Sequence, residues 1–443
     1  MRLLSVLRLS ILSLAGLPLG FALSAMGQDV LPAARVEVPT LPPLPLGRVD
    51  IPHGKTLNLN VGLGSGLFRA ASDPEGVIWA ITDRGPNIDC KKPKDITGLG
   101  TQAICRGDKK GKIFPLPAFT PTIYKLRIGT DGKVEVLETL PLKGRSGKAI
   151  TGLPNDLKST EAAFSITGEE LGKDPSGLDT EALVRLPDGS FWVSEEYAPS
   201  LVEIAPDGTI RRRLVPEGLA DRLKGADYEV VPALPGILAL RDLNHGIESL
   251  ALSPDGAFLY ALMQGALANP DTAAADSSPL ARLIKLDRKT GAVVGSYAYG
   301  ASAPGDFKAD ATGKTQDQSD VKMSEMVAVG PDRLLVLERI DKTTKLFLVD
   351  LAGATPLPAD FTTGAAHPTL EQLAQGDFPR AGVVPLAKTL ILDSDRLKGL
   401  PAKIEGVAVL NERELILVSD SDFGIKGDTT QMRRVRFEAP ILK

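Results

Sequence analysis

Histidine is almost missing from this chain, with three in 443 residues, and cysteine and tryptophan occur only twice each. So few imidazoles and thiols exclude the metal frameworks built from clusters of those ligands, zinc and copper sites above all. Positive excess is lacking too. The formal net charge is −4, so the chain carries no basic footprint for nucleic acid. No apolar run of membrane-spanning length occurs after the first thirty residues. Familiar catalytic phrases are equally scarce: no G-x-S-x-G nucleophile elbow is present, and no histidine sits in an Arg-His-Gly phosphatase phrase. Gly313-Lys314-Thr315 resembles the end of a phosphate-binding loop, but the earlier glycine, Gly305, lies at the wrong distance.

Glycine (44) and proline (34) are abundant, which suits a turn-rich β protein. Arg2 and Arg8 accompany an apolar stretch from Leu9 to Leu23, followed by small residues at Ser24, Ala25 and Gly27. This reads as a secretory signal peptide over 1–27, with a retained anchor as the lesser alternative. A proline-rich leader (28–47) and a single domain (48–443) follow. Cys90 and Cys105 share one polar loop, and an exported protein is expected to pair them; two free thiols are the alternative.

One phrase, an apolar strand, a tight turn and a second apolar strand, is written five times. It runs from Ser65-Gly66-Leu67 to Asp83, and then starts at Glu181, Glu248, Glu325 and Glu405. The last four copies are spaced by 67, 77 and 80 residues. Further strands with Asp131-Gly132, Asp207-Gly208 and Thr290-Gly291 turns fill the intervals. Four strands per repeat predict an all-β fold, a β-propeller. Six blades are favoured within a range of five to seven, the sixth being sought around residues 120–165. Closure is expected from Thr56–Val61 pairing with Arg433–Phe437; a β-sandwich or two-domain arrangement is the competing architecture.

Counting across the hairpins brings Glu181 opposite Glu196, Glu325 opposite Glu338, and Glu405 opposite Ser419-Asp420. Gly66 falls opposite Asp83-Arg84 and Glu248 opposite Met263-Gln264. In a propeller all of these share one face of the disc. Carboxylates so gathered must take up protons or share cations. The expected metal ligands are Asp83, Glu181, Glu195, Glu248, Glu325, Glu405, Asp420 and Asp422, with Ca²⁺ favoured by an all-oxygen set. The candidates for the chemistry are Glu196, Glu338 and the cations Arg84, Arg339 and His245, the arginines to stabilise developing negative charge. The plain reading stands beside this one: the glutamates serve as hydrogen-bonding staples between repeats, and the arginines as their internal ion-pair partners. Trp79 and Trp192 read as core.

The stretch Gly177-Leu178-Asp179-Thr180-Glu181 through Trp192-Val193-Ser194-Glu195-Glu196-Tyr197-Ala198-Pro199-Ser200 resembles the phytase-like family, described as having esterase-like activity. Thr82-Asp83-Arg84-Gly85-Pro86-Asn87, Asn244-His245-Gly246-Ile247-Glu248, Leu337-Glu338-Arg339, Lys403-Ile404-Glu405-Gly406 and Ser419-Asp420-Ser421-Asp422-Phe423-Gly424 support it. The resemblance covers about Gly64 to Phe437. The chain departs from the family pattern at Glu195 (usually Asp), Ala198 (usually Gly) and Ser421 (usually Asn).

The resemblance implies a β-propeller and an exported, calcium-dependent hydrolase of phosphate monoesters or other esters. Its expected partner is a small anionic ester, with no nucleic acid and no membrane span after signal cleavage. The alternatives are a non-catalytic periplasmic or secreted propeller that binds a ligand or protein around a structural calcium, and a lactonase-like carboxylic-ester hydrolase.

Overall fold

The apolar phrases become strands, and their place in each sheet follows from how apolar they are. Phe191–Glu195 and Val77–Ile81 are buried along their whole length, as continuous apolar runs between two covering layers must be. Val134–Pro141, by contrast, leaves most of its residues at the surface and therefore lies at a sheet's outer edge. The computed structural model describes residues 31–312 and 315–442; the expected signal peptide lies outside them.

Five sheets correspond to the five repeats. Blade 1 holds Gly66–Phe68, Val77–Ile81, Thr122–Ile128 and Val134–Pro141 in that order. Blade 2 holds Thr180–Arg185, Phe191–Glu195, Ser200–Ile204 and Ile210–Pro216, with Glu229–Leu234 added in parallel. Blade 3 runs Ile247–Leu252, Phe258–Met263, Leu280–Asp287 and Val293–Gly300, and blade 4 runs Lys322–Gly330, Arg333–Arg339, Thr344–Asp350 and Lys388–Asp393. Blade 5 contains Ile404–Asn411, Glu414–Ser419 and Met432–Phe437. The glycines of the Asp131-Gly132, Asp207-Gly208 and Thr290-Gly291 turns all take positive φ, as hairpin turns of this kind require.

The first strands of blades 1 to 5 touch in succession, and that of blade 5 returns to blade 1. At the junction of blades 1 and 2 a side chain on Gly66 would meet the backbone of Glu181 and Ala182 at 2.7–2.8 Å, so only glycine permits this approach. Each interface has its own apolar core. Ala182, Val184 and Trp192 of blade 2 meet Leu250, Leu259 and Ala261 of blade 3, and Leu335, Leu337 and Leu346 of blade 4 meet Val407, Leu415 and Leu417 of blade 5. Trp79 packs edge-on against Phe191, 5.2 Å between ring centres, inside the core of blades 1 and 2.

Two expectations are corrected. Among the described residues no sixth sheet stands between blades 1 and 2, whose first strands are in direct contact. Residues 122–141 are the outer strands of blade 1, and Ala163–Ser165 joins a small separate sheet with Ile88–Asp89, Lys112–Phe114 and Glu170–Leu171. The strand that pairs with Met432–Phe437 is Ala34–Glu37, from the proline-rich leader, with Val36 opposite Val435. Thr56–Asn60 instead forms a hairpin with Pro45–Asp50. That hairpin and the small sheet share a core that includes Leu57, Leu59, Ile113, Phe164 and the bonded pair Cys90–Cys105. They form a cap on one side of the ring's mouth.

Candidate functional site

Local irregularities of the first strands decide which side chains reach the mouth. In blade 2 the strand pairing slips between Thr180 and Leu183, in blade 3 between Ile247 and Ser249, and in blade 5 between Ile404 and Gly406. Glu181, Glu248 and Glu405 each fall within a slip. A bulge frees its extra residue from the ladder and re-aims the side chain, and these three carboxylates line one cavity of about 870 Å³. In blade 4 a slip near the turn, between Ala328 and Gly330, offsets the strand by one, and Glu325 pairs opposite Leu337 rather than Glu338. Ser324 takes the bulge there, and Glu325 is turned away. Gly66 likewise pairs with Ile81, not with Asp83-Arg84.

Of the residues expected at the site, Asp83, Arg84, Glu181, Glu196, Glu248, Arg339, Glu405, Asp420 and Asp422 line this cavity. Four others are displaced from it. Glu195 is fully buried and accepts hydrogen bonds from the amides of Asp179, Tyr197 and Ala198 (3.2, 2.8 and 3.1 Å), from Ser200 Oγ (2.9 Å) and from Arg213. Glu325 accepts from the amides of Leu67 (3.1 Å) and Met326 (2.9 Å), a staple across repeats. Glu338 is held by Tyr299 Oη (2.7 Å), the Ser302 amide (3.0 Å) and Lys388. His245 is half-buried outside the lining; desolvation and the nearby Lys322, Arg241 and Arg339 push its pKa down to about 3. The same causes favour its neutral form.

Both arginines are engaged within the protein. Arg84 Nη1 contacts Glu161 (2.8 Å) and Asp179 (3.0 Å), and Nη2 reaches Asn244. Arg339 bonds Glu405 through Nη2 and Ser324 Oγ through Nε (3.0 Å). Burial works against both guanidinium charges, but these carboxylates more than offset it and hold each pKa above the ordinary arginine value. Both arginines stand in the cavity wall as ion-pair partners of carboxylates. The cations left without an ion pair among the cavity-lining residues are lysines: Lys322 within, and Lys55, Lys91, Lys92 and Lys426 at the exposed mouth. Sequence reasoning missed these, because single lysines, four in loops and Lys322 at the start of a strand, carry no pattern.

The acids divide into two sets. Glu405 pairs with Arg339, and Lys403 Nζ lies 3.7 Å from Asp420 and 2.7 Å from Asp422. Burial would raise the Asp422 pKa, but Lys403 brings it below the ordinary value. On the other side, Glu181 and Glu248 have no side-chain hydrogen bond or ion pair among the described residues. Glu196 comes no nearer to a cation than 4.0 Å, at Arg84. Burial first, and then Glu248 and Asp179, raise the Glu181 pKa well above its ordinary value; burial and Glu196 push Glu248 up to about 8. Asp83 stands half-buried in the wall with Oδ1 accepting from the Gly85 amide (2.8 Å), and burial pushes its carboxyl up to about 7. Asp179, which pairs with Arg84 and which the hairpin count never reached, adjoins the unpaired group: Asp179, Glu181 and Glu196 offer oxygens within 4.8 Å of one another. Its adjacency to Glu181 in the Gly177–Glu181 stretch was the available signal.

Strain collects at the same mouth. Asn244, Lys403 and Asp422, all in the lining, hold positive φ of 63°, 50° and 45°, each costing of order 1–3 kcal/mol. A side chain on Gly246 would overlap the Glu196 carbonyl at 2.3 Å, so glycine alone lets the blade 3 entry loop press against Glu196.

An oxygen-seeking divalent cation fits the unpaired set. Glu196 Oε1, Glu248 Oε2 and Gln264 Oε1 are buried and have no hydrogen-bond partner, and every available donor is oxygen, as calcium prefers.

Known proteins place the chain further. It is 29% identical over 264 residues to an uncharacterized secreted protein of Arthroderma benhamiae, covering 51% of this chain and about half (48%) of that relative. With the Cys90–Cys105 disulfide, this is consistent with export. No helix of the described residues is long and apolar enough to cross a membrane. Similar solved structures include the periplasmic gluconolactonase of Pseudomonas aeruginosa (10% identity, TM-score 0.30, 92% of this chain and 97% of that one). The calcium-binding protein regucalcin of Agrobacterium tumefaciens is another (14%, TM-score 0.32, 90% and 98%). At these identities and scores the likeness concerns chain architecture alone. The phytase-like profile, described as esterase-like activity of phytase, matches residues 60–423, and the chain belongs to that family.

Proposed function

We propose that this chain is an exported, divalent-cation-dependent hydrolase of small anionic esters, phosphate monoesters foremost. The observation that carries the reading is the meeting of both signs of charge in one cavity. Unpaired carboxylates gather around Glu181, Glu196 and Glu248, while lysines without ion pairs, Lys322 inside and Lys55, Lys91, Lys92 and Lys426 at the rim, face the same space. The family's description supports an esterase-type reaction.

A bound calcium ion would be held by the unpaired carboxylates and would supply Lewis acidity toward the ester oxygen and toward water. The rest of the work falls to the chain. The lysines draw in and orient the anionic group, as point charges suited to phosphate oxygens. Asp83, with its carboxyl at about 7, takes a proton from the attacking water and returns it to the leaving oxygen, since a general acid–base works best near the operating pH. Arg339–Glu405 and Lys403–Asp422 keep the opposite wall rigid and charge-balanced. The cap that carries Lys91 and Lys92 narrows the entrance.

The test is turnover by the purified, oxidised protein across phosphate monoesters, carboxylic esters and lactones, with calcium or with chelator. Calcium-dependent hydrolysis of a phosphate ester is expected. Preference for lactones or carboxylic esters would reassign the substrate within the same reaction type. Tight ligand binding without turnover of any ester would replace the enzyme by a binding propeller.

A further inference from the structure

Charge is spread unevenly over this chain. Its net charge is −4, yet between Cys90 and Lys112, within the cap, seven basic residues stand against two acids. Little of that excess is neutralised nearby. Lys112 pairs with Asp89, and Arg106 with Glu170. Of the two acids, Asp108 accepts from the amides of Lys110 (2.8 Å) and Gly111 (3.2 Å) and so serves its own turn, which leaves Asp95 against the rest. Lys91, Lys92, Lys94, Lys109 and Lys110 are all exposed and have no ion pair among the described residues.

The backbone gathers these lysines into one patch. The Cys90 amide donates to the Gly111 carbonyl (3.1 Å), so Lys91 and Lys110 leave the same end of one strand pair. The Lys55 amide donates to the Ile96 carbonyl (3.3 Å) and brings a sixth exposed lysine beside the helical turn that begins at Lys94. Lys55, Lys91 and Lys92 line the cavity, whereas Lys94, Lys109 and Lys110 do not. The patch therefore runs from the rim outward over the cap.

We infer that the cap is a docking face for a linear polyanion of the phosphate type, whose end it presents to the cavity. Crowded like charges repel one another, and a polyanion relieves that repulsion while releasing its own condensed counterions. Residue type narrows the partner. Lysine ammonium groups are point charges that meet phosphate oxygens from many directions, without the planar fork by which arginine reads a carboxylate. No aromatic residue occurs between Cys90 and Lys112, so the patch offers no stacking platform for nucleic-acid bases. The exposed large apolar residues among the described ones, Val38, Leu137, Leu240, Val294 and Val384, all stand outside the cap, which leaves it nothing to insert into a lipid surface. The docking face shares rim lysines with the hydrolase reading but does not require turnover.

The test titrates the oxidised full chain into end-labelled long-chain inorganic polyphosphate and reads fluorescence anisotropy. Binding should weaken about tenfold or more between about 0.05 and 0.2 M salt. The triple variant Lys94→Ala, Lys109→Ala, Lys110→Ala should bind about tenfold more weakly than the parent, with turnover of a small phosphate ester within about twofold and an unchanged melting temperature. A second triple variant, Lys148→Ala, Lys289→Ala, Lys398→Ala, removes the same charge from other exposed positions and should bind as the parent does. Failure of the parent to bind polyphosphate, undiminished binding by the cap variant, or an equal loss in the second variant overturns the docking face. Tighter binding of polygalacturonate, single-stranded DNA or vesicles of anionic phospholipid overturns it as well. Hydrolysis of small esters without polyphosphate binding upholds the enzyme alone, and polyphosphate binding without turnover of any ester upholds the docking face alone.

Discussion

Replacing Glu195 and Glu248 by glutamine should change stability in opposite directions, although both stand at the ends of inner strands. Glu195 is a fully buried acceptor with five donors, and its charge balances Arg213, which is itself completely buried. Glutamine keeps the shape but leaves the guanidinium uncompensated, and breaking a buried pair this way costs about 3–5 kcal/mol. Glu248 has the reverse problem. Its carboxyl, ordinarily at 4.5, is pushed up to about 8, so the folded protein binds a proton more tightly than the unfolded chain. Each pH unit between those values adds about 1.4 kcal/mol against the folded state. At pH 8 the metal-free parent therefore carries a penalty of order 4 kcal/mol that a neutral glutamine lacks, and at pH 5 almost none. The assay is urea unfolding of chelator-treated, oxidised protein at both pH values. Glu195→Gln should lower the midpoint at both, and Glu248→Gln should raise it at pH 8 but not at pH 5. A destabilised Glu248→Gln at pH 8 without metal, or a Glu195→Gln that unfolds with the parent, would refute the reasoning.

Asp83, held at about 7, and Glu248, at about 8, both bind protons more tightly when folded; metal-free stability should accordingly fall as pH rises from about 4 toward 8, measured as the melting temperature across buffers. Asp83→Asn should lower kcat at least a hundredfold with little change in KM and remove the acidic limb of the pH–rate profile near 7. Replacing Lys91 and Lys92 together by alanine should raise KM for a phosphate ester about three- to tenfold, an effect that shrinks at high salt because these charges are exposed. Removing the Cys90–Cys105 bond, which spans a separation of 15 residues, should cost about 3 kcal/mol and loosen the cap, seen as a lower melting temperature under reducing conditions.

The repeat was legible in the sequence because apolar strands and Asp-Gly turns obey short-range rules, and the five copies of the phrase became the five sheets. The mouth was only partly legible. Glu181, Glu248 and Glu405 arrived together, but Glu325 did not, since a single slip between Ala328 and Gly330 reverses which face a side chain takes. Glu195 and Glu338 reached strand ends as expected and were then engaged by Arg213 and Lys388, residues distant in sequence whose approach no local pattern announces. The closing strand Ala34–Glu37 was hidden for a similar reason: prolines around it read as an extended leader, and an edge strand tolerates such neighbours. The carboxylate partners of Arg84 and Arg339, Glu161 with Asp179 and Glu405, were equally hidden from any local pattern.

The central claim is that one cavity holds both a cation and an anion. A crystal structure of the protein soaked with calcium and inorganic phosphate tests it most directly. The account predicts an ion among Glu181, Glu196 and Glu248, with phosphate contacting Lys322 or the mouth lysines. Calcium seated instead at Glu405, Asp420 and Asp422, or a cavity empty of both, would contradict it.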